Sequence, residues 1–346
     1  MRVDLFDFDL PEDRIALRPV DPKDSSRMMV IDKNGIHDHK TLELPDFLNA
    51  NDIIVFNDTK VIPAQLYGTC KDFEVECNLH KRLGPVEWIA FAKKVKRLKR
   101  NDKIVFGASL SAIVTDVSSD DQIGQITLRF EVAPGLLETR LVEVGQMPLP
   151  PYIASKRDID EKDLSDYQTI FAKREGAVAA PTASLHFTDR LLEALDDKGV
   201  HQVKLTLHVG AGTFLPVKVD DTSQHKMHAE WGEISYGAAR MINEAKSSGG
   251  RVIAVGTTAL RLLESATGPD GIVRPWSGDT DIFITPGYKF NIVDILMTNF
   301  HLPKSTLFML VSAFAGLDRM QEAYEHAIDS GYRFYSYGDS SLVFKR

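Results

Sequence analysis

Arg251-Val-Ile-Ala-Val-Gly-Thr-Thr-Ala-Leu-Arg261 reads as a strand, a turn and the opening of a helix. Val252 to Val255 form a short apolar run rich in β-branched side chains, bounded by Gly249-Gly250 on one side and Gly256 on the other, which is the pattern of a buried strand. Gly256-Thr-Thr then supplies the turn, and Thr258 to Ala266 has helical spacing. The same alternation continues on both sides. Thr188 is placed to cap a helix over Asp189 to Lys198, with Gly199 to end it. Val203 to Val209 follows as a strand, Ala238 to Ser247 as a helix, and further helices start after Ser305 and run from Asp318 to Ser330. Strands alternating with helices predict an α/β layer with a partly parallel, mixed sheet.

Upstream the pattern changes. Between about Thr59 and Leu149 the apolar residues come in short or alternating runs, as in Glu87-Trp-Ile-Ala-Phe-Ala, Lys103-Ile-Val-Phe and Gln125-Ile-Thr-Leu-Arg-Phe. Turn residues (Arg100-Asn-Asp, Ser118-Ser-Asp-Asp) separate them, and no long helical period appears. This predicts a small antiparallel sheet or barrel. Met147-Pro-Leu-Pro-Pro-Tyr closes the segment as a stiff, extended connector. The expected organisation is an α/β domain from residues 1–60 and 150–346, carrying an inserted β-rich domain at 61–149. No internal repeat or low-complexity segment interrupts it.

Composition agrees. The chain has 346 residues, 43% hydrophobic and 26% charged, with 41 basic against 49 acidic side chains, a net charge of −8. Such a chain is long enough for two domains and has the composition of a globular protein. The acidic balance excludes a protein that coats nucleic acid indiscriminately and leaves room for a local basic patch. Cys70 and Cys77 are the two cysteines, too few for a disulfide framework or a four-cysteine zinc site. The N-terminus is acidic where a signal peptide is basic, and Leu307 to Leu317 is too short to span a membrane. These features predict a cytoplasmic protein without membrane contact.

The chemistry concentrates between Ala179 and Glu230, which holds five of the ten histidines (His186, His201, His208, His225, His228). Leu207-His-Val-Gly-Ala-Gly-Thr-Phe-Leu-Pro ends a strand at His208 and follows it with Gly210 and Gly212. Two glycines there admit close backbone approach of a ligand, or simply a tight turn. His225, His228 and Glu230 are residue types that bind zinc, but histidines three apart fit neither one helix face with the usual spacing nor one strand face. Polar recognition or acid/base work suits them better. The Gly256-Thr257-Thr258 turn opens a helix whose N-terminus favours an anion, and it is neither a phosphate-binding P-loop nor a dinucleotide fingerprint. Lys93-Lys-Val-Lys-Arg-Leu-Lys-Arg100 puts six basic residues into eight positions. That is either a phosphate-binding patch or a charged edge that blocks aggregation. Asn299, His301 and Lys304 precede a buried helix, and Tyr332-Arg-Phe-Tyr-Ser-Tyr-Gly-Asp339 places aromatics where they either stack on bases or pack a core.

Several long words of this sequence, in this order, resemble the S-adenosylmethionine:tRNA ribosyltransferase-isomerase family of queuosine biosynthesis. They are Asp24-Ser-Ser-Arg-Met-Met, Phe56-Asn-Asp-Thr-Lys-Val-Ile-Pro-Ala, Met147-Pro-Leu-Pro-Pro-Tyr-Ile, Gly176-Ala-Val-Ala-Ala-Pro-Thr-Ala and Leu207-His-Val-Gly-Ala-Gly-Thr-Phe. His225-Lys-Met-His-Ala-Glu, Met297-Thr-Asn-Phe-His-Leu-Pro-Lys-Ser and Tyr335-Ser-Tyr-Gly-Asp complete the set. The resemblance runs nearly end to end. It implies a six-stranded barrel set into the α/β domain, and a monomer acting on preQ1-containing tRNA at the anticodon. It also implies that S-adenosylmethionine is consumed as a substrate, with no metal or further cofactor. The ribosyl part would move to the aminomethyl group of preQ1 and rearrange to an epoxy-cyclopentane, releasing adenine and methionine.

Such a reaction needs a base beside the sulfonium and help for adenine departure. The expectation is that His186, His208, His228 and Glu230 surround the reacting ribose. Gly210, Gly212, Thr213, Thr257 and Thr258 would line the donor pocket, with Arg261 near its anionic end. Lys93, Lys96, Arg97, Lys99, Arg100 and Lys304 would meet the tRNA. Ser184 and Ala259 stand where the family carries glycine and serine, which bears on the backbone approach at the first and a hydroxyl donor at the second. Two rivals compete: a non-enzymatic RNA-binding module, which leaves the His and Gly cluster unexplained, and a metal-dependent hydrolase using His225, His228 and Glu230.

Overall fold

The computed structural model describes residues 1–118, 124–214 and 217–346, with the side chains of Thr213 and Phe214 outside the described part. Ser119, Asp120 and Asp121 of one expected turn, and Leu215-Pro216 after the glycine loop, also lie outside it.

The main sheet begins with β1 (Arg27–Asp32), β2 (Gly35–Lys40) and β3 (Ile53–Asn57), followed by the short β4 (Thr59–Val61). The barrel uses β5 (Gln65–Cys70), β6 (Phe73–Arg82), β7 (Glu87–Ala92), β8 (Lys103–Val105), β9 (Ser111–Ser118) and β10 (Gln125–Phe130). After it come β11 (Arg174–Ala177), β12 (His201–Leu207), β13 (Glu230–Ile234), β14 (Val252–Val255), β15 (Trp276–Thr280), β16 (Ile295–Asn299) and β17 (Ser340–Phe344). Nine strands form one mixed sheet in the order β15-β13-β12-β3-β14-β16-β17-β1-β2. The run β12, β3, β14, β16 is parallel, so these strands end at one edge.

Every residue of β3, β14 and β16 is buried, the mark of strands covered on both faces. Side-chain alternation divides them between two cores. Ile53, Val55, Val252, Ala254 and Leu296 share one core with Ile242, Leu260 and Phe308, whereas Ile54, Phe56, Ile253, Val255, Ile295 and Met297 share the other with Leu191 and Leu195. The barrel closes because β10 pairs with both β7 and β9. Its interior holds Leu66, Cys77, Trp88, Ile104, Val114 and Leu128 and is plugged by Leu137 and Leu141 of α1 (Leu137–Val144). Burial pushes the Cys77 thiol up to about 12, and both cysteines are free. The chain enters and leaves the barrel side by side, where Gln65 and Gln146 exchange backbone hydrogen bonds of 3.2 and 2.8 Å. Gly145 permits this, since a Cβ there would lie 2.2 Å from the Pro63 carbonyl oxygen. The fold is the α/β domain with mixed sheet and inserted antiparallel barrel that the pattern and the resemblance implied.

Two local expectations change. The connector after Met147 is not extended throughout: Pro151 starts the helical turn α2 (Pro151–Ala154), because a proline needs no N–H partner at the first helical position. The turn α3 (Asp163–Asp166) follows. Thr188 precedes α4 (Asp189–Asp197) in extended conformation but does not cap it; its hydroxyl donates to the buried Asp24 carboxylate, which also binds Arg190. Helix α5 (Tyr236–Ser247) is capped by Ser235, whose Oγ accepts from Ala238 N at 3.1 Å. Helices α6 (Thr257–Ser265), α7 (Thr306–Ala315) and α8 (Leu317–Asp329) complete the covering layers.

Candidate active site

The carboxyl ends of β14 and β16 open onto a cavity of about 370 Å³. Gly256 adopts φ +89° at the β14 end, a conformation that strains any residue with a Cβ, and lacks a side chain to cap α6. The first turn of α6 therefore presents its N–H groups and positive dipole end at the cavity, beside Thr257 and Thr258. Asn299, His301 and Lys304 line the same cavity after β16, with Tyr152, Tyr167 and Tyr335 as its aromatic wall. Tyr152 and Tyr335 rings lie 4.6 Å apart. Of the sequence-based expectations, Thr257, Thr258 and Lys304 meet here. Lys304 is paired with Asp7 at 2.7 Å. Ala259 is buried in the sheet-facing core, away from the cavity, so a missing hydroxyl there removes no lining group. Ser184 is fully buried as well.

His186 does not line this cavity; it supports a residue that does. Asn299 Nδ2 donates to the Tyr335 carbonyl oxygen at 3.1 Å and to His186 Nε2 at 3.2 Å, while Asn299 Oδ1 accepts from Thr182 Oγ1 at 3.3 Å. A carbonyl can only accept, which fixes the amide, and so Nε2 accepts and Nδ1–H donates to Ser26 Oγ at 2.8 Å. Burial pushes the His186 imidazole down to about 4. With Ser26 and Asn299 at its two nitrogens, the ring supports Asn299 from behind the cavity lining.

A second cavity, about 660 Å³, lies between the barrel and the sheet. The β6–β7 hairpin contributes His80 to Pro85, and the main domain contributes Glu175, Gly176, His208, Gly210 and Ala229 to Trp231. His208 Nδ1 lies 2.8 Å from Thr59 Oγ1, whose own proton is directed at the Arg174 carbonyl oxygen, 3.4 Å away. His208 therefore donates from Nδ1 and keeps its Nε2 lone pair. Burial first, then Arg174 and Arg82, push it down to about 4, and its ring stacks on Trp231 at 5.2 Å. The two cavities share a thin wall, since Val209 lines the first while its neighbours His208 and Gly210 line the second.

The glycines of this wall are there for the histidines. A Cβ on Gly176 would lie 2.8 Å from His208, one on Gly210 2.9 Å from His80, and one on Gly212 2.7 Å from His228. Gly212 lies in neither of these two linings and abuts the His228 ring, and Thr213 falls among the side chains outside the described part. His228 meets the His80 ring at 5.4 Å and Phe91 at 6.4 Å. Glu230 accepts from Gly210 N at 3.0 Å and from Arg261 in a buried ion pair. Arg261 also donates to the Ile282 carbonyl oxygen, and lines neither cavity. The Arg261 Nη1 is thus engaged by Glu230. Among the described residues no three metal-ligating side chains come together, His225, His228 and Glu230 included.

The basic run lies at the other end of β7 from the cavity-lining hairpin. Lys93 pairs with Glu76 at 2.6 Å, and Arg97 sits near Asp72 at 3.7 Å and over the Phe73 ring at 4.0 Å. Lys96, Lys99 and Arg100 share that loop and belong to neither of the two cavity linings. Sequence reasoning missed His80, Trp231, Tyr152 and Asn57. Asn57 clamps both backbone groups of Leu207, accepting from its N–H at 3.0 Å and donating to its carbonyl at 2.9 Å. The Phe-Asn-Asp and Pro-Pro-Tyr words carried a signal for Asn57 and Tyr152; nothing local marked His80.

A helix-covered mixed sheet with an inserted barrel, and cavities at the carboxyl edge and the domain junction, defines a two-domain α/β enzyme class. Residues 3–343 match the family described as "Queuosine biosynthesis protein", and the chain belongs to that family. It is 59% identical over 345 residues to the S-adenosylmethionine:tRNA ribosyltransferase-isomerase of Rhizorhabdus wittichii, covering 99% of each chain. With the protein of the same name from Rhizobium etli it shares 56% over 359 residues, covering 100% of this chain and 99% of that one. The crystal structure of the S-adenosylmethionine tRNA ribosyltransferase from Thermotoga maritima is similar, with a TM-score of 0.55 and 32% identity over 98% of this chain and 100% of that one.

Proposed function

We propose that the chain is an S-adenosylmethionine:tRNA ribosyltransferase-isomerase. It transfers the ribosyl part of S-adenosylmethionine to preQ1 in tRNA and isomerises it, giving epoxyqueuosine with release of adenine and methionine. The observation that carries this is the full-length match to relatives of that name, laid over a fold with a small-molecule cavity at its carboxyl edge. The cavity of about 370 Å³ is within the ~300–1,000 Å³ usual for small ligands. The α6 N-terminus suits the donor's methionine carboxylate, contributing about 0.3–1 kcal/mol. The tyrosine wall suits its adenine.

Among the four residues expected around the ribose, His208 is the one proposed to take a proton, because its Nε2 lone pair is free. Glu230 and His186 are proposed as positioning groups, and His228 as a ring packed at the wall. His301, with Nε2 3.1 Å from Thr298 Oγ1, is the imidazole that lines the donor cavity. The reading includes a monomer acting in the cytoplasm without metal or further cofactor. Among the described residues no helix is long and apolar enough to cross a membrane. The basic loop Lys93–Arg100 is proposed to touch the tRNA backbone away from the reacting base. Incubation with S-adenosylmethionine and preQ1-containing tRNA should release methionine and adenine in equal amounts. Release that is independent of the tRNA, or absent, would overturn the assignment.

A further inference from the structure

Tyr335 helps to wall the carboxyl-edge cavity in a backbone conformation that its residue type resists. Its φ is +73°, in the left-handed region where a Cβ is crowded and a bulky side chain is an outlier. Among the described residues the other non-glycine positions with positive φ are Asn51, Lys71, Lys94, Asn101 and Lys304, all exposed, whereas Tyr335 is buried. Strain of this kind persists where the surroundings over-determine it, and it gathers at ligand sites. Lys304, at φ +55°, lines the same cavity.

What holds Tyr335 is a chain of buried polar groups. Its N–H donates to the Phe300 carbonyl oxygen at 3.1 Å, and its own carbonyl accepts from Gly338 N at 3.0 Å and from Asn299 Nδ2 at 3.1 Å. The Gly338 bond is local to the turn, whereas the Asn299 bond ties the turn to the end of β16. Asn299 is itself fixed. Its second Nδ2 proton goes to His186 Nε2, and behind that ring Ser26 Oγ, Thr41 Oγ1 and Ser340 Oγ follow at 2.8, 2.8 and 3.2 Å. Both amide protons are committed to the protein, so Asn299 has no N–H left for a ligand. The carbonyl so held sets the Tyr335 ring 4.6 Å from that of Tyr152.

We propose that Asn299 is a positioning residue for S-adenosylmethionine: it holds Tyr335 in its left-handed conformation, and it acts on the donor through that ring. The inference rests on the reading that this cavity takes the donor. It makes Ser26 and His186, which lie outside the cavity lining, determinants of donor affinity.

Dissociation constants for S-adenosylmethionine test it, measured by calorimetry with saturating tRNA that lacks preQ1, so that nothing turns over. Asn299→Ala should weaken the donor about fivefold or more and change the constant for tRNA by less than about twofold. Asn299→Asp, which keeps the shape but offers the Tyr335 carbonyl no donor, should be at least as weak. Tyr335→Ala should weaken the donor too, and adding Asn299→Ala to it should cost less than about a further twofold, because a residue that acts through another is not additive with it. Full additivity overturns the proposal, as does an unchanged donor constant in Asn299→Ala or equal weakening of tRNA. Should circular dichroism show Asn299→Ala unfolded, Ser26→Ala decides: about twofold weaker donor binding that vanishes in the Tyr335→Ala background supports the proposal, and no change overturns it. A Tyr335→Ala protein that binds the donor like wild type overturns both the proposal and the cavity reading. Weakening in Tyr335→Ala alone overturns the proposal and leaves that reading standing.

Discussion

Glu230→Gln exposes how much the buried ion pair holds in place. The Glu230 and Arg261 side chains are 5% and 6% exposed, and the carboxylate also holds Gly210 N–H at 3.0 Å. The amide can still accept from Gly210, so geometry at the loop is retained in part. What is lost is the countercharge to a buried guanidinium whose Nη2 already lacks a partner among the described residues. Removing one member of a buried pair costs about 3–5 kcal/mol. At about 2 °C per kcal/mol for a domain of this size, Tm should fall by about 6–10 °C in a thermal melt. Replacing both residues together, Glu230→Met with Arg261→Met, removes the stranded charge and should recover most of that loss. Turnover should fall more in the double variant, where Gly210 N–H has no acceptor, than in Glu230→Gln, whose amide still accepts from it. A Glu230→Gln melt within about 1 °C of wild type would refute the strut, and a double variant no better than the single would refute the charge argument.

Histidine burial predicts acid lability. His80, His186 and His208 are held near 4 and His301 near 3, against an ordinary value of 6.5. Between those values the unfolded chain binds the extra protons, so stability is present above pH 6.5 and is lost as pH falls toward 4. Each histidine should add about 1.4 kcal/mol per pH unit to the slope; urea melts from pH 7 to 5 measure it, and a flat profile contradicts the burial. Gly212→Ala would put a Cβ 2.7 Å from the His228 ring, costing about 1–3 kcal/mol by overpacking. Adding His228→Ala should restore Tm but not turnover, and no recovery would mean the clash lies elsewhere. Replacing Lys96, Lys99 and Arg100 by Ser should flatten log K for tRNA against log salt by about 0.7–0.9 per lost phosphate contact; an unchanged slope removes the loop from the interface.

The fold was legible where local chemistry and tertiary environment agree. Val252 to Val255 reads as a buried strand because both faces are covered, and Glu87 to Ala92 reads as a barrel strand because its faces differ. Thr188 looked like a cap because caps are local, but Asp24, far away in sequence, claims its hydroxyl. The candidate site was legible as a crowd of residue types and not as an arrangement. Gly210 and Gly212 signalled close approach correctly, yet what approaches is a histidine ring, one of them from the barrel. Arg261 and Glu230 were each visible as charged residues near glycines; that they neutralise each other depends on β13 and α6 meeting, which no short window records. His80 was silent because Gly210 and His228, which it meets across the domain junction, lie more than a hundred residues away.

A crystal structure with S-adenosylmethionine bound would decide whether the donor occupies the cavity at the carboxyl edge. Density for the methionine carboxylate is expected at the N–H groups of Thr257 and Thr258, and for adenine against Tyr152 and Tyr335. Density for the donor at the domain junction, stacked on Trp231 with the carboxyl-edge cavity filled by solvent, would contradict it.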